Sequence, residues 1–116
     1  MKPRDLSSLV DILVAAELVQ KFREEINREM FEIDLLYQSA ICRQLEILGE
    51  ATKRLSPEIR ANYPEIPWRK MAGMRDILIH NYDDIDLDAV WNVATKSIPE
   101  LIDKINTIIN SETNIQ

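Results

Sequence analysis

Arg75, Asp76, His80 and Tyr82 stand within one short stretch, and their types suit chemistry on a phosphodiester. Histidine is the side chain whose unperturbed titration falls near neutrality, so it can take and return protons under physiological conditions. His80 is the only one in 116 residues. Arginine offers a permanent charge and a planar fork of donors that matches phosphate oxygens. If one helix ran through the stretch, Arg75 and Tyr82 would share a face, with Leu78 and Ile79 between them. His80 would then stand about 140° round from Arg75, a gap for the long guanidinium, or a second copy of the chain, to bridge. The rival reading is a helix end at which Arg75 pairs with an aspartate and His80 caps terminal carbonyls.

The elements that must hold this stretch follow from periodicity. Apolar residues at Leu9, Ile12, Leu13, Ala16, Val19, Phe22 and Ile26 form a stripe at helical spacing, with Asp5 or Ser7 placed to cap its start. The charged run from Arg23 to Glu32 reads as a bend or a separate helical turn. A second long helix is expected from about Asp34 to Leu55, with Ile33, Leu36, Tyr37, Ala40, Ile41, Leu48, Ala51 and Leu55 in one stripe. Leu35, Cys42 and Leu45 widen that stripe, so one side should meet its own bundle and the other a second subunit. Gly49 in its interior costs roughly 1 kcal/mol against alanine, which suggests a close approach by a neighbouring helix. Glu50 flanks the stripe, either paired with Arg54 one turn on or reaching across to orient Arg75. Ser56-Pro57 ends this helix and starts a short one. Residues 63–68 read as a stiff extended connector, with Trp68 packed inward. A further helix is expected from Pro67 to about His80, and a last one carries Val90, Trp91, Ala94, Ile98, Leu101, Ile105 and Ile108, interrupted at Pro99 with Ser97 as a cap.

These elements predict an all-α fold, an antiparallel four-helix bundle with one extra short helix, in a single domain spanning residues 1–116. Residues 1–4 and 111–116 are expected to be loose termini. Two glycines in the whole chain and few aromatics agree with that class.

Composition narrows the function. A formal charge of −6 argues at first against nucleic acid, but the charge is unevenly spread. Residues 1–50 are net −4, residues 83–116 net −5, and residues 51–82 net +3, from Lys53, Arg54, Arg60, Arg69, Lys70 and Arg75 against three acids. The basic block holds the histidine, which favours an anionic ligand there. Cys42 alone excludes an internal disulfide and fits a reducing compartment. No apolar run approaches the length of a membrane span and no signal-peptide pattern opens the chain, so a cytoplasmic protein is expected. The alternating acids Asp84, Asp86 and Asp88 invite a calcium-loop reading, but Ala89 and Thr95 fall where that loop needs Gly and Glu. They read instead as capping acids. No metal ligand set and no cofactor are expected.

Three stretches together carry a resemblance: Leu48-Gly49-Glu50-Ala51 with Arg54-Leu55-Ser56-Pro57; Tyr63-Pro64-Glu65-Ile66-Pro67-Trp68; and Arg75-Asp76, three residues, then His80-Asn81-Tyr82. They resemble the HEPN superfamily, in particular the HepT-like ribonuclease toxins encoded beside a minimal nucleotidyltransferase antitoxin. The likeness spans nearly the whole chain, and its most specific part is the arginine, four intervening residues, histidine, one residue, tyrosine. It implies a metal-independent endoribonuclease toxin working as a homodimer on RNA. It implies Arg75 and His80 as the catalytic pair, Asp76 as the supporting polar residue, and Tyr82 as the acceptor of AMP from the antitoxin. The second reading of the same residues is a non-catalytic helical subunit that holds a nucleotide or substrate for a partner nucleotidyltransferase. That reading needs Arg75 but not a proton carrier at His80. A third is a purely structural helical oligomer.

Overall fold

Asn27, Asp34, Ser56 and Asp86 each turn a side-chain oxygen back onto the open end of a helix. They accept from the backbone N–H of Met30 at 2.8 Å, Leu36 at 3.0 Å, Ile59 at 3.4 Å and Ala89 at 3.0 Å. Such caps satisfy amides that have no partner inside the helix, and they divide the chain. A computed structural model describes the backbone of residues 1–81 and 84–113, and the side chains of these residues other than 77 and 79–81. The elements are α1 (Pro3–Glu24), α2 (Arg28–Ile33), α3 (Leu35–Lys53), α4 (Pro57–Asn62), α5 (Trp68–Ala72), α6 (Met74–Leu78), the strands β1 (Ile79–Asn81) and β2 (Asp84–Ile85), α7 (Leu87–Asn92), a π turn (Val93–Ser97) and α8 (Ile98–Thr113).

The fold is all-α apart from the small ribbon of β1 and β2. Helix α1 runs antiparallel to α3, since Glu25 just beyond its end meets Tyr37 at the start of α3 while Asp5 meets Ser56 at the other end. It also runs antiparallel to the last helix, because Arg23 reaches Thr95 at 3.3 Å. The core between them is aliphatic: Leu9, Ile12, Val19, Ile41, Leu45, Leu48, Val90, Ile98, Ile105 and Ile108 are buried, together with Phe31. Trp91 lies against Phe31, ring centroids 5.2 Å apart, with the Arg23 guanidinium 5.0 Å from its ring centre. Arg28 pairs with both Glu32 and Asp88 and so ties α2 to α7.

Several expectations need correcting. Helix α1 starts at Pro3 with no side-chain cap. Asp5 is 3% exposed and serves the opposite end of its neighbour, accepting from Ser56 N at 2.8 Å and Ser56 Oγ at 2.6 Å. Residues 63–68 are folded rather than extended. Ile66 N donates to Tyr63 O at 3.2 Å, and Pro67 at φ −77°, ψ 64° makes an inverse γ-turn closed by Trp68 N to Ile66 O at 2.8 Å. Trp68 is buried as expected, its Nε1 donating to Tyr63 O. Ile33, Leu35 and Leu36 do not join the core; they are 73–74% exposed. The last helix is interrupted beside Pro99 as expected, with α8 beginning at Ile98, but the break is a π turn rather than a Ser97 cap. In that turn the Ile98 N–H reaches back five residues to Val93 O, just before the proline that has no N–H to offer. Helix α8 persists to Thr113, into the segment expected to be loose, and residues 114–116 lie outside the described part.

The helix expected from Pro67 to His80 is the largest difference. It is two short helices broken at Gly73, and it ends at Leu78. Residues 79–81 are a strand, and the Leu78 carbonyl is taken by Asp86 N–H at 2.9 Å across the ribbon.

Candidate functional site

Met74 and Leu78, 8% and 2% exposed, anchor α6 to the core and leave Arg75 and Asp76 exposed on its outer side. The anchor works because α3 offers no side chain at Gly49. A methyl there would stand 3.0 Å from Met71 O and 3.8 Å from Met74 Cβ, so glycine lets α5 and α6 lie directly on the α3 backbone. This is the close approach that the sequence predicts. The expectation that Glu50 orients Arg75 concerns the residues that follow Gly49 and Met74 in the chain.

Their side chains are not joined by an ion pair among the described residues. Glu50 is exposed and takes Lys53 Nζ at 3.4 Å; Arg54, expected to hold it, pairs with Asp11 at 3.2 Å. An i,i+3 partner has displaced the i,i+4 one because Arg54 is already past the last turn of α3, at its C-cap.

His80 lies on β1. Because the helix stops at Leu78, the shared helical face for Arg75 and Tyr82 and the 140° offset of His80 do not apply. The ladder pairs Ile79 with Ile85 and Asn81 with Asp84, a step of two residues on one strand against one on the other. The irregularity therefore falls at His80, which has no partner in the ladder register. Bulges of this kind are over-represented beside active sites. Tyr82 lies outside the described residues.

Of the six basic residues in the net-positive block, three hold the fold. Lys53 and Arg54 make the ion pairs above, and Arg60 donates to Thr52 O at 2.8 Å, closing the end of α3. The other three, Arg69, Lys70 and Arg75, are exposed on α5 and α6, and among the described residues none is in an ion pair. The block's cations outside these bonds thus stand on the two short helices that lead into His80, with Glu65 and Asp76 beside them as acids likewise in no ion pair among the described residues. Sequence reasoning counted Arg69 and Lys70 but did not single them out; the signal was the local charge, and what was missing was which cations the fold consumes.

Elsewhere the titratable groups read as structural. Burial pushes the Cys42 thiol up to about 11, which makes it a small core residue. Burial also raises Asp5, but the two Ser56 hydrogen bonds with Lys2 and Arg4 outweigh it and leave its carboxyl below the usual range. Among the described residues no group of three or more acids, histidines or cysteines is placed to hold a metal, and no helix is long and apolar enough to cross a membrane.

Comparison with known proteins adds a family. The family model described as "Ribonuclease HepT-like" matches residues 12–108. The chain is 42% identical to "Probable ribonuclease HepT" of Thermococcus cleftensis, over 93% of this chain and 98% of that protein. It is 38% identical to "Putative RNase MJ0125" of Methanocaldococcus jannaschii, over 94% and 95% of the two chains. It is also 38% identical to "Putative RNase TTE0752" of Caldanaerobacter subterraneus, over 90% and 93%. No solved structure matches at a significant level.

Proposed function

The chain belongs to the HepT-like ribonuclease family, and from that premise we propose that it is an endoribonuclease in which Arg75 and His80 do the chemistry. The observation that carries this reading is the placement of an exposed Arg75, on a helix pinned to the core by Met74 and Leu78, five residues before the one histidine at an irregular step of β1. RNA brings its own nucleophile, the 2′-OH beside the scissile phosphate, so proximity is built into the substrate. What the protein must supply is proton transfer and stabilisation of the extra negative charge on the phosphorane. His80 takes the proton from the 2′-OH as its oxygen attacks phosphorus, and the 5′-oxygen of the next nucleotide leaves with a proton from the protonated His80 of a second copy. Arg75 donates to the equatorial oxygens as their charge grows. Asp76, exposed on the same short helix, supports the pair, and Arg69 and Lys70 attract the flanking backbone. No step calls for a metal.

In-line attack sets the 2′-oxygen and the departing 5′-oxygen on opposite sides of phosphorus, where one imidazole cannot reach both, which favours a homodimer with two such sites facing one cleft. Met30, Ile33, Leu35 and Leu36, 47–74% exposed within seven residues, support an assembly, since monomers rarely leave so many large apolar groups in water together. In the cell the protein acts as the toxin of a toxin–antitoxin pair, its antitoxin a minimal nucleotidyltransferase that places AMP on Tyr82. The added phosphate would pair with Arg75 and exclude substrate.

The test is a substrate comparison. RNA should be cut to 2′,3′-cyclic phosphate ends, and a single 2′-deoxy nucleotide at the cleavage position should block that cut. Cleavage that proceeds through the deoxy position would overturn the mechanism. The binding-subunit reading keeps Arg75 and drops the proton carrier, so it predicts nucleotide binding by the purified chain with no RNA turnover.

A further inference from the structure

An open groove of about 500 Å³ lies between α5–α6 on one side and the π turn with α8 on the other. That volume is in the range of small-ligand sites. Val93 and Ser97, the first and last residues of the π turn, both line it, so the widened turn sits at the groove itself. Turns of this kind are frequent at functional sites. Its walls are apolar, from Met71, Met74 and Leu101, and its rim carries Glu65, Lys70 and the Glu100–Lys104 pair at 3.1 Å. Among the described residues Glu65 and Lys70 are in no ion pair. Arg75 is the next residue after Met74 on α6, and Lys70 lies on α5 just before it.

We propose that this groove is a nucleobase subsite that selects guanine beside the cleaved phosphate, an inference that rests on the ribonuclease reading of Arg75 and His80. The walls match a flat aromatic base, and the two thioethers are polarisable surfaces suited to a π-face. Glu65 brings a carboxylate, whose two oxygens accept hydrogen bonds. Guanine presents two adjacent donors, N1–H and N2–H, which one carboxylate satisfies together. Adenine and cytosine each set an acceptor beside their donor, and uracil has one donor alone. A base held this way directs its phosphate toward the open side, where Lys70 stands and Arg75 follows. The rim thus supplies a positive group for the backbone and a negative one for the base edge, which an apolar peptide would leave unpaired.

The test reads binding directly, apart from cleavage. The full chain is labelled at its methionine methyls, and 5′-GMP, 5′-CMP and inorganic phosphate are added in turn. Of the four methionines, Met71 and Met74 line the groove while Met1 and Met30 are exposed outside it. GMP should shift the Met71 and Met74 methyls saturably and leave the other two unmoved. CMP should bind about tenfold more weakly, the discrimination a bidentate base contact gives, and phosphate alone should not move the pair. Ser97→Trp, at an exposed lining position, should abolish the GMP effect, and Glu65→Gln should remove the preference over CMP. Should Ser97→Trp lose its circular dichroism signal, Lys70→Glu serves in its place and should weaken GMP binding. Equal shifts with both nucleotides, no shift at all, or shifts unchanged in these variants would overturn the subsite. A chain that shifts with GMP yet cuts no RNA would sink the ribonuclease reading and leave the subsite standing. One that cuts RNA with no base preference and no shift would do the reverse.

Discussion

At the scale of single residues, the proposed mechanism gives Arg75 and His80 unequal parts of the reaction. Losing a positioned proton carrier typically costs about 100- to 10,000-fold, and losing one donor to developing charge about 100- to 1,000-fold. His80→Ala should therefore lower the cleavage rate at least as far as Arg75→Ala, with binding of a non-cleavable RNA retained in His80→Ala and weakened in Arg75→Ala. Equal binding in both variants would contradict the separate roles. Asp5 gives a prediction of another kind. Its carboxyl is held below the usual range by Ser56 despite burial, so the folded state favours the charged form. The stability this contributes is fully present above the unfolded value of about 3.9 and is lost as pH falls through the lower folded value. Thermal midpoints measured from pH 6 to pH 2 should drop in the wild type below about pH 4, and Asp5→Asn should flatten that part of the drop. At neutral pH the same variant should be less stable by about 1–3 kcal/mol, because a charged acceptor serving two donors has gone. A wild type and variant with parallel pH curves would show that Asp5 is not the titrating group.

At the scale of elements, the long helices were legible in the sequence and the short ones near the site were not. Helices α1, α3 and α8 follow from stripes of Leu, Ile and Val repeated over four or more turns, and Ser56-Pro57 marks where α3 gives way to α4. Gly49 was also readable, since an unforced glycine in a buried helix asks for a close neighbour, and α5 supplies it. The stretch from 67 to 80 misled because its apolar spacing suits one helix while its ends are decided by distant partners. Gly73 closes α5, and the Asp86 amide, eight residues beyond Leu78, captures the carbonyl that ends α6. No local pattern shows a bond of that range. Pro99 did mark an interruption of the last helix, but not its form, since the chain before it re-registers into a π turn. Gly49→Val should test the element that positions the site. Its branched side chain would press on the Met71 carbonyl and destabilise the fold by about 1–3 kcal/mol. RNA cleavage should fall further than the loss of folded protein explains, because α6 is displaced. Cleavage that tracks the folded fraction alone would argue against the coupling.

At the scale of the whole molecule, charge is unevenly spread, and residues 51–82 form the one net-positive block. Lys53, Arg54 and Arg60 are consumed by the end of α3, so the net-positive block delivers Arg69, Lys70 and Arg75 to two consecutive short helices. This resolves the conflict between an acidic chain and an anionic substrate, since local field rather than total charge steers RNA. The account also needs two copies. Leu35→Glu with Leu36→Glu, at positions 73% and 74% exposed, should leave the single-chain fold intact, shift sedimentation to the monomer and abolish cleavage. A stable monomer that cuts RNA at the wild-type rate would remove the dimer from the mechanism. The central claim meets its most direct test when purified protein is incubated with RNA in excess EDTA beside the His80→Ala variant. Discrete fragments from the wild type and intact RNA from the variant are the predicted result; equal cleavage by both, or none from the wild type at any concentration, would contradict it.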